Sequence, residues 1–248
     1  MKNLLKDLDL KIVIISRGRY DSITTHKMVP DFIEVVVPNS EVELYKEAIP
    51  NPVIGIDDDI IGLGKLRNHI MDKFEENTVI MLDDDLLYVY NLENPKAVRH
   101  DNPETVLWIL INASVMANDL GVGVFGFTQV DIRKYSSAEP FKLTGWVGGV
   151  IGVIGKDIRF RNDKFKVDID FCLKNLYEHR ILWVDNRYYF AQRRDNNKGG
   201  NSVFRTKADF DDSVNKLKRK WGKYLKVSEN KSQISIAINV SRKQAIVL

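Results

Sequence analysis

The chain has 248 residues, 44% hydrophobic and 29% charged, with 37 Lys and Arg against 34 Asp and Glu. That length suffices for one large α/β domain or two small ones, and the composition excludes a disordered chain. A single cysteine, Cys172, excludes a disulfide framework and fits a reducing compartment, while a formal net charge of +3 leaves any polyanionic partner to be decided by local clustering. From the start of the chain, "MKNLLKDLDLKIVII" holds no uninterrupted signal-peptide core. No apolar run approaches the roughly 20 residues of a spanning helix. The expectation is a soluble, cytoplasmic protein with no membrane partner.

"KIVIIS" (Lys11 to Ser16) predicts a strand buried on both faces, and "DSITTHKM" a helix capped by Asp21 or Ser22. "FIEVVVP" predicts a second strand, "SEVELYKEAI" a helix from Ser40, and "NPVIGI" a third strand. In "LGKLRNHIMDKF", apolar residues at 63, 66, 70, 71 and 74 trace one helical face. "TVIMLD" is then the fourth strand. Strands alternating with helices imply a mainly parallel sheet flanked by helices. Further on, "PETVLWILINASVMANDL" predicts a long helix and "GVGVFGF" a strand. "LTGWVGGVIGVIG" is glycine-rich enough to suggest backbone close to a ligand or to another element. "DIDFCLKNLYEHR" predicts a helix, "ILWVD" and "RYYFA" two strands, "QRRDNNKGGNS" a loop, "DDSVNKLKRKWGKYLKV" a basic helix and "QISIAINV" a final strand. The simplest organisation is one domain over 1–205 with an extension over 206–248 packed on it.

The predicted fourth strand ends in Asp83, Asp84 and Asp85. Adjacent carboxylates repel, and in a parallel α/β sheet ligands bind outside the carboxyl ends of the strands. Oxygens from alternate positions, Asp83 and Asp85, suit a hard cation such as Mn²⁺ or Mg²⁺ that keeps sites for water and phosphate. The alternative is a solvated acidic turn, which the apolar "LLYVY" directly afterwards argues against. A second triplet, Asp57 to Asp59, reads equally as loop, helix cap or ligand site. "SRGRY" places Ser16, Arg17 and Arg19 at the end of the first strand, where an arginine fork can meet phosphate, or where the segment is a plain surface loop. Arg67 in "KLRN" falls near a helix start, where a phosphate also meets free amide groups.

With these residues in view, "LRNHIMDKFEENTVIMLDDDLLYV" resembles the nucleotide-sugar half of GT-A-type glycosyltransferases, with an Arg-Asn pair opening a helix and an Asp-rich D-x-D ending the next strand. "SRGRYDSITTHKMVP", "VVVPNSEVELYKEA" and "GLGKLRNHIM…MLDDDL" together look like the phage and bacterial TET-associated DNA-base glycosyltransferases over roughly the first 90 residues. The resemblance implies a GT-A-like fold and transfer from a UDP-sugar donor to a 5-hydroxymethylpyrimidine in DNA, in the host's cytoplasm if the chain is phage-encoded. Asp83 and Asp84 would face ribose and uridine, and Asp85 the metal bridging the diphosphate. Arg67 would contact the nucleotide, and Ser16, Arg17 and Arg19 would frame the base. The family's catalytic base falls at Asp168 or Asp170; Asp170 is favoured because Ile169 takes the place of the usual partner.

Other acceptors — a polysaccharide, a protein, a small molecule — fit the same site, and a non-enzymatic nucleic-acid-binding protein is the reading from another class. No His follows His179, so a third protein ligand to the metal lacks a candidate. Arg193, Arg194 or Lys198, with Gly199 and Gly200 as hinge, would close over the diphosphate, unless this is an ordinary basic turn. "GWVGG" would line the sugar and acceptor pocket through Gly148 and Gly149, with Trp146 as a stacking face or a core residue. Trp221 and Tyr224 among the lysines of the basic helix suit unstacked bases, or else pack inward.

Overall fold

The computed structural model describes residues 1–93, 97–129, 139–163, 165–193, 206–230 and 233–241. Helix α1 (Lys2–Asp7) leads into β1 (Leu10–Ile15); β2 (Glu34–Pro38), α2 (Val42–Ala48), β3 (Val53–Ile56), α3 (Leu63–Lys73) and β4 (Thr78–Asp83) follow. Then come β5 (Leu86–Asn91), β6 (Val98–His100), α4 (Pro103–Asp119), β7 (Val124–Thr128), β8 (Phe141–Lys142) and β9 (Val150–Ile154). The chain continues through α5 (Val167–His179), β10 (Trp183–Gln192), α6 (Lys207–Trp221), β11 (Leu225–Asn230) and β12 (Gln233–Ile238).

Ten strands form one sheet in the order β3-β2-β1-β4-β9-β7-β10-β5-β6, with β8 beside β10. The first four are parallel, as their β-branched, apolar sequences require. Past β4 the sheet is mixed. β9 runs antiparallel between β4 and β7, so Thr78 pairs with Ile154 and Leu82 with Val150. β7 and β10 are parallel again. Alternation along each strand sorts the core into two faces. Ile12, Ile14, Ile80 and Leu82 join Tyr45 and the apolar side of α4, whereas Val13, Ile15, Val79 and Met81 join α3, α5 and α6. The result is three layers, helices on both sides of a sheet.

Several elements differ from the sequence reading. "DSITTHKM" makes only a 3₁₀ turn, Thr25–Met28, because the amides of Thr24 and Thr25 are drawn to the Asp84 carbonyl at 2.9 and 3.3 Å. "ILWVD" and "RYYFA" form the one strand β10, which pairs with β7 through Trp183 to Asp185 and with β5 from Tyr188 onward. The basic helix stops at Trp221, and "LKV" is already strand. Within β9, Gly152 faces the Phe125 ring so closely that a Cβ there would lie 2.1 Å from a ring carbon. The glycine is the space into which that ring packs.

Candidate functional site

The carboxyl end of β4 lies between the end of β1 and the start of β9, and its three aspartates have three different environments. Asp83 keeps its backbone in the sheet, donating to the Gly149 carbonyl at 2.8 Å. Its Oδ1 accepts from Arg67 Nη2 at 3.1 Å, and Arg67 has no exposed surface. Asn68, the next residue, clasps the backbone of Phe160 through two 2.9 Å hydrogen bonds. The Phe160 ring lies 5.4 Å from the Arg67 guanidinium and stacks on Phe171 of α5 at 3.7 Å. The Arg-Asn pair thus fixes one charge beneath Asp83 and ties α3 to α5. Nε and Nη1 of Arg67 are buried without a hydrogen-bond partner among the described residues.

Asp84 is a buried pin. One oxygen accepts from Ser16 Oγ at 2.5 Å and the other from Arg19 Nη1 at 2.5 Å. Ser16 Oγ also shares a 2.5 Å hydrogen bond with Tyr45 Oη, which in turn accepts from the Arg19 amide at 3.0 Å. Tyr45 is itself fully enclosed, and burial raises its phenol well above the ordinary range. Thr25 closes the far side, donating its hydroxyl to the Asp83 carbonyl at 2.6 Å and accepting the Leu86 amide at 2.9 Å. Asp84, expected to face the nucleotide, has both carboxylate oxygens taken by Ser16 and Arg19.

Asp85 has the least compensation. Arg19 approaches only to 3.9 Å, and burial together with the charges of Asp83 and Asp84 pushes its carboxyl up to about 7. Burial raises Asp83 too, with Asp84 and Asp168 adding to it and Arg67 opposing. Asp83 Oδ2 and Asp85 Oδ1 converge on one atom, Gln192 Nε2, at 3.4 Å each. Two alternate carboxylate oxygens meeting at one point, short of positive charge, fit a hard divalent cation that takes its remaining ligands from water and phosphate. Among the described residues no group of three or more His, Cys, Asp or Glu is placed to hold a metal. Asp83 and Asp85 would hold one as a pair.

The remaining "SRGRY" contacts join neighbouring loops. Arg17 Nη2 donates to the Ile60 carbonyl at 3.0 Å, and the Gly18 amide, at φ +63°, donates to Glu41 at 2.6 Å. The second triplet has a local role: Asp58 accepts from the amide and hydroxyl of Ser40, which holds its carboxyl below the usual range, while Asp57 and Asp59 are exposed.

The two candidate bases part company. Asp170 has no exposed surface; its Oδ1 accepts from Trp221 Nε1 at 2.8 Å and Lys220 Nζ at 3.0 Å, and Lys174 lies 3.7 Å from Oδ2. It fastens α6 to α5 and faces no solvent. Asp168, half-buried in the first turn of α5, is turned to the rim: its charge acts on Asp83, and its Oδ2 would lie 3.1 Å from a Cβ built on Gly148. Gly148 also receives Gln129 on its carbonyl at 2.7 Å. Gly149, at φ +69°, would collide with the Gln192 amide if it carried a Cβ, 2.5 Å away. Both glycines therefore bring β9 up to the carboxylates. Trp146 is half-buried and packs on the core beside α5. Trp221 and Tyr224 are buried and so offer no stacking surface.

Arg194, Lys198, Gly199 and Gly200 lie outside the described residues. Gln192 and Tyr45 are the rim residues that sequence reasoning missed. Gln192 carried a signal, a polar side chain where a strand runs into a glycine-containing loop; Tyr45, inside a surface helix, carried none.

A family model described as TET-associated glycosyltransferase matches residues 10–200. No curated protein matches the chain significantly. Among solved structures, glucosyl-3-phosphoglycerate synthase from Mycobacterium tuberculosis, in complex with Mg²⁺ and UDP, is 11% identical with a TM-score of 0.52, over 96% of this chain and 91% of that one. Mannosyl-3-phosphoglycerate synthase from Rubrobacter xylanophilus is 12% identical with a TM-score of 0.51, over 95% and 87%. S. aureus TarS 1-349 in complex with UDP-GlcNAc is 19% identical with a TM-score of 0.46, over 76% of this chain and 59% of that one. The chain thus spans about 60% of the length of the TarS 1-349 structures it matches and 36% of the longer TarS structure. At these identities the likeness is one of fold, a GT-A-type mixed sheet flanked by helices. No helix among the described residues is long and apolar enough to cross a membrane.

Proposed function

Because the chain belongs to the TET-associated glycosyltransferase family, we propose that it transfers a sugar from a UDP-sugar to the hydroxymethyl group of a 5-hydroxymethylpyrimidine in DNA. The donor's diphosphate lies at the carboxyl end of β4, with Asp83 and Asp85 holding Mn²⁺ or Mg²⁺. A bound cation supplies charge neutralisation for the departing diphosphate. Arg67, buried beneath the rim, holds Asp83 in place and offsets its charge. Ser16 and Arg19, pinned by Asp84, frame the base with Arg17.

Asp168 is the general base. As the acceptor oxygen bonds to the anomeric carbon, the hydroxyl proton passes to an Asp168 oxygen and the sugar–phosphate bond breaks, its electron pair leaving with UDP. Gly148 keeps the approach to Asp168 open. In a duplex, the acceptor base turns out of the stack to reach this carboxylate.

The observation that carries the reading is the uneven neutralisation of the three aspartates: Arg67 on Asp83, Arg19 on Asp84, and Asp85 left with its carboxyl raised to about 7. A structural acidic turn has no reason to draw its least compensated carboxylate out of water between Asp83 and Asp84, or to set a fourth carboxylate, Asp168, against Asp83. The test incubates the protein with several UDP-sugars, Mn²⁺ and hydroxymethylated DNA, then resolves the digested nucleosides by mass. One sugar added to the modified pyrimidine is the expected result. No mass change with any donor, together with no UDP binding by calorimetry, would overturn the assignment.

A further inference from the structure

The sequence from Ser213 to Ser228 contains six basic residues and no acidic one. With these six set aside, 31 basic residues face 34 acidic ones, so the remainder of the chain is net negative. The positive excess of the molecule is therefore concentrated on α6, the turn after it and the start of β11. Helix packing sorts this segment cleanly. Val214, Leu217, Trp221 and Tyr224 are buried against α5, while Lys216, Lys218, Arg219, Lys220, Lys223 and Lys226 are all exposed. Lys220 is held by buried Asp170, and Lys216 by Asp212 at 2.6 Å. Lys218, Arg219, Lys223 and Lys226 have no acidic partner among the described residues. The helix dipole favours Lys218 and Arg219 in the last turn of α6, but Lys223 and Lys226 lie beyond the end of the helix and extend the cluster where that dipole gives them no role.

We propose that this ridge of Lys218, Arg219, Lys223 and Lys226 is a docking surface for the phosphate backbone of duplex DNA, read without regard to sequence. The chemistry of the buried side narrows the partner. A membrane-surface helix needs an apolar face to insert, and here that face is core, with Leu217 fully enclosed. Single strands are gripped by aromatic side chains that stack on bases, and here both aromatics are turned inward. What remains outside is charge alone, which is how proteins hold a duplex in register without reading its bases. From Lys218 to Lys223 the ridge extends about 8 Å at 1.5–2.0 Å per residue, roughly two phosphate steps of a duplex strand at 3.4 Å each. The ridge is tied to the site: Lys220 and Trp221 grip Asp170, one half-turn beyond Asp168, and Ser213 donates to Asp163 at 2.5 Å just before α5. DNA held there is anchored to the helix that presents Asp168. The binding surface itself does not depend on the transfer reaction proposed above.

The test is fluorescence anisotropy with a short duplex lacking modified bases, titrated over a range of salt. Binding should weaken steeply with salt. The triple substitution Lys218→Gln, Arg219→Gln and Lys223→Gln should reduce the slope of log K against log salt by about 2.7 and weaken binding by on the order of 100-fold at about 0.1 M salt. Its melting temperature and UDP affinity should stay unchanged, since these side chains are exposed and lie outside the donor site. Three results would each overturn the ridge: no duplex binding at low salt, equal binding by the triple variant, or tighter binding to phosphatidylserine vesicles than to the duplex. In the unsubstituted protein, UDP binding without duplex binding counts against the ridge alone, and duplex binding without UDP binding counts against the donor site alone.

Discussion

Replacing each of two aspartates one half-turn apart on α5 should give opposite failures. Asp170→Ala removes the one acceptor that the buried Trp221 indole has among the described residues, and the shared partner of Lys220 and Lys174. Breaking a fully buried ion pair from one side costs roughly 3–5 kcal/mol. The lysine side chains are 40% and 30% exposed and can turn to water. The cost therefore falls toward the lower end, about 3 kcal/mol, much of it the orphaned indole N–H. Asp168→Asn, at a half-buried position, should change stability by no more than about 0.5 kcal/mol. Losing the base should nonetheless lower kcat by roughly 10²–10⁴-fold, about 3 to 5 kcal/mol of barrier. Urea denaturation and steady-state transfer measured on both variants, with UDP affinity by calorimetry as control, separate the two roles. A fully stable Asp170→Ala protein that binds donor yet transfers nothing, or an Asp168→Asn protein with ordinary turnover, would refute the assignment drawn from the α5–α6 contact.

Asp85→Asn should stabilise the protein in EDTA, with the gain appearing only as pH rises. The folded carboxyl sits at about 7 against an ordinary 3.8, so the native state binds the extra proton between those values. The cost of ionising it is absent below 3.8 and complete above about 7, where it amounts to on the order of 4 kcal/mol. Urea midpoints of the two proteins from pH 4 to 8 check this, and a constant difference across that range would contradict it. Saturating Mn²⁺ should reverse their order at pH 8, because only the parent protein keeps both carboxylates. Gly152→Ala should lower stability by about 1–3 kcal/mol through overpacking against Phe125, read as a fall in melting temperature. Thr206→Ala should cost about 1 kcal/mol, since Thr206 and Asp209 form a reciprocal capping box at the start of α6.

The first half of the fold was legible because each of its signals is local. β-branched runs, helical spacing from Leu63 and the chain-order alternation needed no tertiary information, and the acidic cluster could be placed at a strand end from the same reasoning. What escaped the sequence depends on direction and on contact across the chain. Nothing in "VIGVI" says that β9 runs backwards between β4 and β7, because a strand buried on both faces has the same composition whichever way it runs. Asp168 and Asp170 differ only in the face of α5 they occupy, and that face is set by Trp221, some fifty residues later. The capping signal at Asp21 and Ser22 was sound chemistry that lost to the Asp84 carbonyl. The aromatics of α6 were ambiguous for the same reason: whether a tryptophan among lysines points out or in depends on what lies beneath it.

The reversal of β9 has a consequence for how such a protein can change. In a wholly parallel sheet, the chain reaches the ligand-bearing edge only where strands finish. A strand laid in the opposite sense delivers its beginning there instead, so Gly148 and Gly149 stand shoulder to shoulder with the aspartates on which β4 finishes. The rim is thereby split between two stretches of polypeptide that meet along a single seam, the earlier one ending in Asp83 to Asp85 and the later one carrying Asp168. On the function proposed above, mutation of the later stretch retools what receives the sugar while leaving the grip on what donates it untouched.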